Sequence, residues 1–150
     1  IEGKDLTLIA LGPSLYPVVD AAKVLREQFS LEAEVIDLRW INPLKYEKLV
    51  ESIKKTGKVV LVTDSAERGS YLQTVAANLA RVAFDYLDAP PVVVGSKNWI
   101  TPPAEMEDYY FPHVDWILDA IHEQVLPLSN RKPVSNFTDG EFFRKQSSGV

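Results

Sequence analysis

Few residues in this chain are of types that carry chemistry, and none of them form a familiar catalytic pattern. Gly12-Pro13-Ser14 stands where a strand turns toward a helix, a place where backbone N–H groups can cradle an anion. One glycine followed by proline makes a poor phosphate loop, and neither G-x-G-x-x-G nor G-x-x-x-x-G-K-[ST] occurs. The turn therefore reads as structural. Asp37 and Asp64 each close an apolar run, a position shared by catalytic carboxylates and by ordinary turn formers. His113 follows Pro112 at the start of a helix, and His122 beside Glu123 and Gln124 is expected on an exposed helix face. These two histidines lack H-E-x-x-H or any paired ligand spacing. No serine occupies a nucleophile elbow. The absence of cysteine excludes disulfides, thiolate catalysis and cysteine-based metal sites. Glu67-Arg68 is either an exposed ion pair or a contact with a partner.

Composition narrows the class further. At 150 residues and 46% hydrophobic, the chain can bury one real core and is too short for two ordinary domains. Its net charge of −5 gives no electrostatic reason to expect nucleic acid or an anionic membrane as partner. No apolar run approaches the roughly 20 residues that cross a bilayer, so a cytoplasmic location is expected. The chain opens on Ile1 and its only methionine is Met106, which reads as a fragment of something longer with any catalytic apparatus upstream.

The elements that would position these residues alternate regularly. Asp5 to Leu11 reads as a strand, stopped by Gly12-Pro13 with Ser14 as N-cap. A helix to about Gln28 follows, its stripe formed by Val18, Ala21, Ala22 and Leu25. Ala33 to Leu38 is a second strand, and Lys45 to Lys55 a second helix with Tyr46, Leu49, Val50 and Ile53 inward. Gly57 suits a left-handed helix end. Lys58 to Asp64 is a third strand whose unbroken apolar run implies burial on both faces. Thr63 to Gly69 forms a charged loop at its carboxyl end. Tyr71 to Leu87 is expected as the longest helix, with Leu72, Val75, Ala76, Leu79, Val82, Ala83 and Tyr86 on its apolar face. Pro91 to Gly95 gives a fourth strand, and Val114 to Val125 the last helix after an irregular, aromatic connection. Strands alternating with helices predict an α/β fold: three layers, α/β/α, around a mainly parallel sheet of four strands in order 2-1-3-4. The switch point then falls between the first and third strands, where ligands and partners tend to meet such sheets.

Several stretches taken together resemble a known family. Glu2-Gly3-Lys4-Asp5-Leu6-Thr7-Leu8-Ile9, Glu34-Val35-Ile36-Asp37-Leu38-Arg39-Trp40-Ile41-Asn42-Pro43-Leu44 and Ser52-Ile53-Lys54-Lys55-Thr56-Gly57-Lys58 are similar to the transketolase C-terminal domain. The likeness is closest to the β part of the thiamine-diphosphate-dependent first component of 2-oxo acid dehydrogenase complexes. Ala83 to Pro90, Pro102-Pro103 and Phe111-Pro112 continue it. It departs at Gly69-Ser70-Tyr71-Leu72-Gln73-Thr74, where the family often has a glycine-rich turn and an early glutamate, and at Val93, where an arginine is common.

The resemblance implies a parent enzyme that oxidatively decarboxylates pyruvate or a branched-chain 2-oxo acid and passes the acyl group to lipoyl groups. It implies that thiamine diphosphate and magnesium bind upstream of this fragment, which supplies contacts instead: to other domains and subunits, and to the lipoyl acyltransferase core. A homo- or hetero-oligomer is expected, with the contact at Asp64, Ser65, Glu67, Arg68, Gly69 and Ser70. The family's antiparallel edge strand would be largely truncated, leaving at most a stub before Glu2. Domain limits are expected at 1–126, followed by a polar tail at 127–150. The tail's Phe137, Phe142 and Phe143, with Arg131, Lys132, Arg144 and Lys145, would lie along this domain or a neighbouring subunit. Two alternatives stay open. One is the same domain of a transketolase, a deoxyxylulose phosphate synthase or a pyruvate:ferredoxin oxidoreductase; the other is a free-standing flavodoxin-like binding domain.

Overall fold

The computed structural model describes residues 1–134. Strand β1 (Leu6–Leu11) is followed by a single 3₁₀ turn, Gly12–Ser14, and by α1 (Leu15–Phe29). The remaining elements are β2 (Ala33–Asp37), α2 (Tyr46–Thr56), β3 (Val59–Ala66), α3 (Tyr71–Val82), β4 (Val92–Ser96) and α4 (Val114–Gln124). Short 3₁₀ segments, Phe84–Tyr86 and Ala104–Tyr109, flank β4. All pairings are parallel and the strand order is β2-β1-β3-β4, the expected sheet.

The two faces of the sheet bury different side chains because successive residues of a strand point opposite ways. Leu6, Leu8, Ala10, Val60 and Val62 point to the layer of α1 and α4. Ile9, Val59 and Leu61 point to the layer of α2 and α3, meeting Leu49, Ile53, Leu72 and Leu79. Val59 to Val62 are fully buried, as an apolar run without alternation requires. Between β1 and α2 lies one buried polar knot. Thr7 Oγ1 stands 2.7 Å from both Ser52 Oγ and Thr56 Oγ1, and Thr56 Oγ1 donates to the Ser52 carbonyl.

Helix α2 ends at Gly57, whose φ of +68° is the left-handed conformation that glycine adopts without strain. A Cβ there would collide with the Asp88 carboxylate, which pairs with Lys58 at 2.8 Å. Outside β2, Ile1 exchanges two backbone hydrogen bonds with Val35: Ile1 donates to the Val35 carbonyl and accepts from its N–H. That reciprocal pair is the antiparallel pattern, so a one-residue stub of edge strand is present.

Five expectations need correction. Ser14 does not cap α1 with its side chain; it is buried in the 3₁₀ turn, where the φ of Gly12 is +64°. Helix α3 stops at Val82, and α1 is the longest helix among the described residues. Val82, the last residue of α3, and Tyr86 are exposed although they match the apolar spacing; Tyr86 lies where the chain has left the helical path. Tyr86 instead lies under the Lys54 ammonium, 4.8 Å from its ring centroid. Strand β3 runs on to Ala66, so Thr63 to Ala66 are sheet and the loop is only residues 67–70. His122 is half-buried, and its Nδ1 accepts the Leu128 N–H at 2.9 Å.

Residues 127–134 turn back onto α4. Leu128 is buried against the α1 and α4 core. The buried Asp119 carboxylate accepts from Arg131 Nε at 2.6 Å and from the Val134 N–H at 2.7 Å, while Arg131 Nη2 reaches Asp115 at 2.9 Å. Burial alone lowers the Arg131 pKa, but the hydrogen bonds and charges of both aspartates outweigh it and the net shift is upward. Phe137, Phe142, Phe143, Arg144 and Lys145 lie outside the described residues.

Candidate functional site

Because every strand is parallel, all four carboxyl ends open on one edge. Four features converge there: the Gly12–Ser14 turn, the loop after β2, residues 63–70, and the segment after β4. The turn Gly12–Ser14 packs against β3, so the two stretches flanking the switch point are neighbours as expected.

The shape of the stretch Asp64 to Ser70 comes from the strand beside it. Between Val62 and Ala66 the β3–β4 register slips, and pairing resumes at Ala66 and Ser96. The Glu67 N–H donates to the Ser96 carbonyl at 3.0 Å. Gly95 allows this approach, since a Cβ there would lie 2.6 Å from Glu67 Cα and 2.8 Å from the Ser65 carbonyl oxygen. The Ser65 N–H donates to Thr63 Oγ1 at 3.2 Å, and Gln73 Nε2 donates to the Glu67 carbonyl. Gly69 takes a φ of +73°, turning the chain into α3. Ser65, Arg68 and Gly69 are exposed, Asp64 and Glu67 are half-buried, and Ser70 is buried at the N-cap of α3. The stretch is thus a hydrogen-bonded corner, with Arg68 on its exposed side.

Asp37 accepts from Arg39 Nε at 2.6 Å, and the pairing raises the Arg39 pKa. His113 sits against Trp116, with ring centroids 4.9 Å apart. Burial lowers its pKa, partly offset by Asp115, Asp108 and Asp119. Among the described residues no three His, Asp or Glu converge on a point where a cation could sit. The donor set does not fit a diphosphate held by magnesium, and no step of thiamine chemistry can be derived from these residues.

The aromatics of this edge were legible by type but not by position. Tyr16, Trp40, Trp99 and Tyr109 are all largely exposed there, and Ile100 is 93% exposed. Tyr110 instead is buried, its hydroxyl donating to the Trp99 carbonyl. The Lys97 ammonium lies 4.4 Å from the Trp99 ring centroid and 5.4 Å from that of Trp116. The Tyr71 hydroxyl donates to the Ile41 carbonyl at 2.9 Å, tying α3 to the loop after β2. Two grooves open beside these elements. One of about 480 Å³ lies between α2 and α3, and one of about 640 Å³ lies between the end of β2 and the start of α2. No helix of the described residues is long and apolar enough to cross a membrane.

Comparison with known proteins agrees with this architecture. The family model described as transketolase, C-terminal domain, matches residues 1–117. The β subunit of the pyruvate dehydrogenase E1 component of Rhizobium meliloti (strain 1021) is 36% identical over 120 residues, which is 79% of this chain and 26% of that protein. Its mitochondrial counterpart in Saccharomyces cerevisiae is 35% identical, over 81% of this chain and 34% of its own length. The mitochondrial 2-oxoisovalerate dehydrogenase subunit beta of Dictyostelium discoideum is 34% identical, over 74% and 30% respectively. This chain therefore spans about a quarter to a third of these relatives. Among solved structures, one described as split gene transketolase, inactive beta4 tetramer, superposes with a TM-score of 0.69 at 29% identity, covering 81% of this chain and 39% of that one. The match over residues 1–117, on a sheet of the expected strand order, makes this chain a member of the transketolase C-terminal domain family.

Proposed function

We propose that this chain is the C-terminal assembly domain of a thiamine-diphosphate-dependent 2-oxo acid dehydrogenase acting on pyruvate or a branched-chain 2-oxo acid. One observation carries the reading: the curated relatives it matches over most of its length are β subunits of those dehydrogenases. In this reading the cofactor and magnesium are held by domains upstream, and residues 1–134 contribute surface rather than acid–base groups. The stretch Asp64, Ser65, Glu67, Arg68, Gly69 and Ser70 is the subunit contact, because it stands at the switch point, where ligands and partners tend to meet such sheets. The lipoyl acyltransferase core is a further partner of the assembled enzyme. The isolated chain is inactive.

The test is made on the parent enzyme, supplied with pyruvate or 3-methyl-2-oxobutanoate, thiamine diphosphate and magnesium. Release of carbon dioxide from either acid, together with acylation of a lipoyl domain, supports the reading. Ketol transfer between sugar phosphates would instead assign the parent to the transketolases. Assembly is read separately: Glu67→Arg/Arg68→Glu in the parent yields smaller species on sedimentation, and an unchanged oligomer would remove the corner from the contact.

A further inference from the structure

The connection from β4 to α4 leaves the sheet at Lys97 and enters the helix at His113, and the side chains of both ends meet on one buried ring, that of Trp116. The His113 imidazole packs against this ring at 4.9 Å between centroids, tilted by 47°. The Lys97 ammonium lies 5.4 Å from the same centroid and 4.4 Å from that of Trp99. Lys97 is itself buried, and a lysine sustains burial only where its charge is met. Between its ends the connection is tied to itself. The Lys97 N–H donates to the Tyr110 carbonyl at 3.1 Å, and the Tyr110 hydroxyl donates to the Trp99 carbonyl at 3.3 Å. Trp99, Ile100, Met106 and Tyr109 stand on its outer side, each at least half exposed.

Histidine is the side-chain type that changes charge between about pH 5 and 8. The charges acting on His113 come from three elements: Asp115 and Asp119 on α4, Asp108 on the 3₁₀ segment, and Lys97 at the end of β4. Arg131, folded back onto α4, already pairs with Asp115 and Asp119. His113 is also the N-cap of α4, where the helix dipole disfavours a cation. Protonation therefore sets a second cation against Trp116 beside Lys97, at the positive end of a helix. We propose that His113 and Lys97 form an acid-opened latch on Trp116: neutral His113 holds residues 98–112 closed, and protonated His113 releases them and rearranges the aromatic surface at the carboxyl end of β4. Burial lowers the His113 pKa in spite of the three aspartates, as a closed state that prefers the neutral ring requires. The closed form is thus favoured above the ordinary histidine value of 6.5 and weakens as pH falls through the folded pKa. For each unit by which closure depresses that midpoint, protonation raises the opening equilibrium about tenfold. Nothing in this latch depends on the assembly reading.

The experiment follows the whole chain by NMR between about pH 8 and 5. The imidazole resonance of His113, identified by its loss in His113→Gln, gives the midpoint of its titration. Amide hydrogen exchange over residues 98–112, corrected for the intrinsic effect of pH on exchange, gives the opening of the connection. The expected midpoint lies below 6.5, and exchange over residues 98–112 rises through that same midpoint while β3 stays protected. In His113→Gln the rise disappears. In Lys97→Met, which keeps an unbranched side chain but removes the like charge, the His113 midpoint moves up. Circular dichroism verifies the fold of each variant, and the first two results stand without Lys97→Met. Titration of His113 with no change in exchange over residues 98–112 would overturn the latch. So would a rise that survives His113→Gln, or a midpoint unmoved in Lys97→Met. None of these outcomes depends on thiamine-dependent activity or on subunit assembly, so failure of the dehydrogenase reading and failure of the latch are read separately.

Discussion

Replacing Arg131 by alanine should destabilise the protein more than its surface location suggests. Its partner Asp119 is 1% exposed, and the Arg131 side chain itself is only 12% exposed. Removing one member of a buried ion pair leaves the other charge uncompensated, at a cost of about 3–5 kcal/mol. Asp119 keeps the Val134 N–H at 2.7 Å, which places the loss near the lower end, about 3 kcal/mol. The second bond of Arg131, to the exposed Asp115, adds on the order of 0–1 kcal/mol. At about 2–4 °C per kcal/mol for a chain of this size, a total of about 3–4 kcal/mol lowers the melting temperature by roughly 6–16 °C. Differential scanning calorimetry measures it, with Asp115→Ala as a control that moves little. The double variant Asp119→Ala/Arg131→Ala should lose less than the sum of the single losses, since the uncompensated charge is gone. A shift below about 2 °C for Arg131→Ala would refute the argument, because it would mean that Asp119 is solvated and that residues 128–134 are not held on α4.

Three further outcomes are expected. Gly95→Ala places a Cβ 2.6 Å from Glu67 Cα, so the β3–β4 corner must shift, at about 1–3 kcal/mol in a denaturant titration; an unchanged midpoint would show that the corner yields freely. Thr7→Val leaves Ser52 and Thr56 without their shared partner in the buried knot between β1 and α2, a loss of about 1–3 kcal/mol by thermal melting, where equal stability would mean that water enters the knot. His113 has its pKa lowered by burial, so its neutral form is favoured in the fold. Its share of the stability is present above about pH 6.5 and is lost as pH falls through the folded pKa. His113→Gln should flatten the decline between about pH 7 and 5 in melts, and an identical slope would remove His113 from it.

Sequence pattern carried the sheet because each strand states its own burial. Val59 to Val62 without alternation read as a strand covered on both sides and are fully buried, and Gly57 read as a helix end and has the left-handed φ of +68°. What escaped the pattern depended on contacts distant in sequence. Val82 and Tyr86 continue the spacing of α3 on paper, yet the chain leaves the helical path after Val82, and Leu87 packs instead into the α2–α3 core. Residues 63–66 carry turn-forming types, but their bond pattern is fixed by Gly95 on β4, some thirty positions away. Asp119 and Arg131 each look like surface charges; only the fold buries them together.

The most direct measurement of the central claim is calorimetric titration of thiamine diphosphate with magnesium, into this chain alone and into its parent enzyme. The chain holds no converging set of cation ligands among its described residues, and the proposed function leaves cofactor binding to the rest of the parent enzyme. Saturable binding by the parent and no saturable heat from the chain is the predicted result. Saturable binding to the chain alone, or none to the parent, would contradict the account.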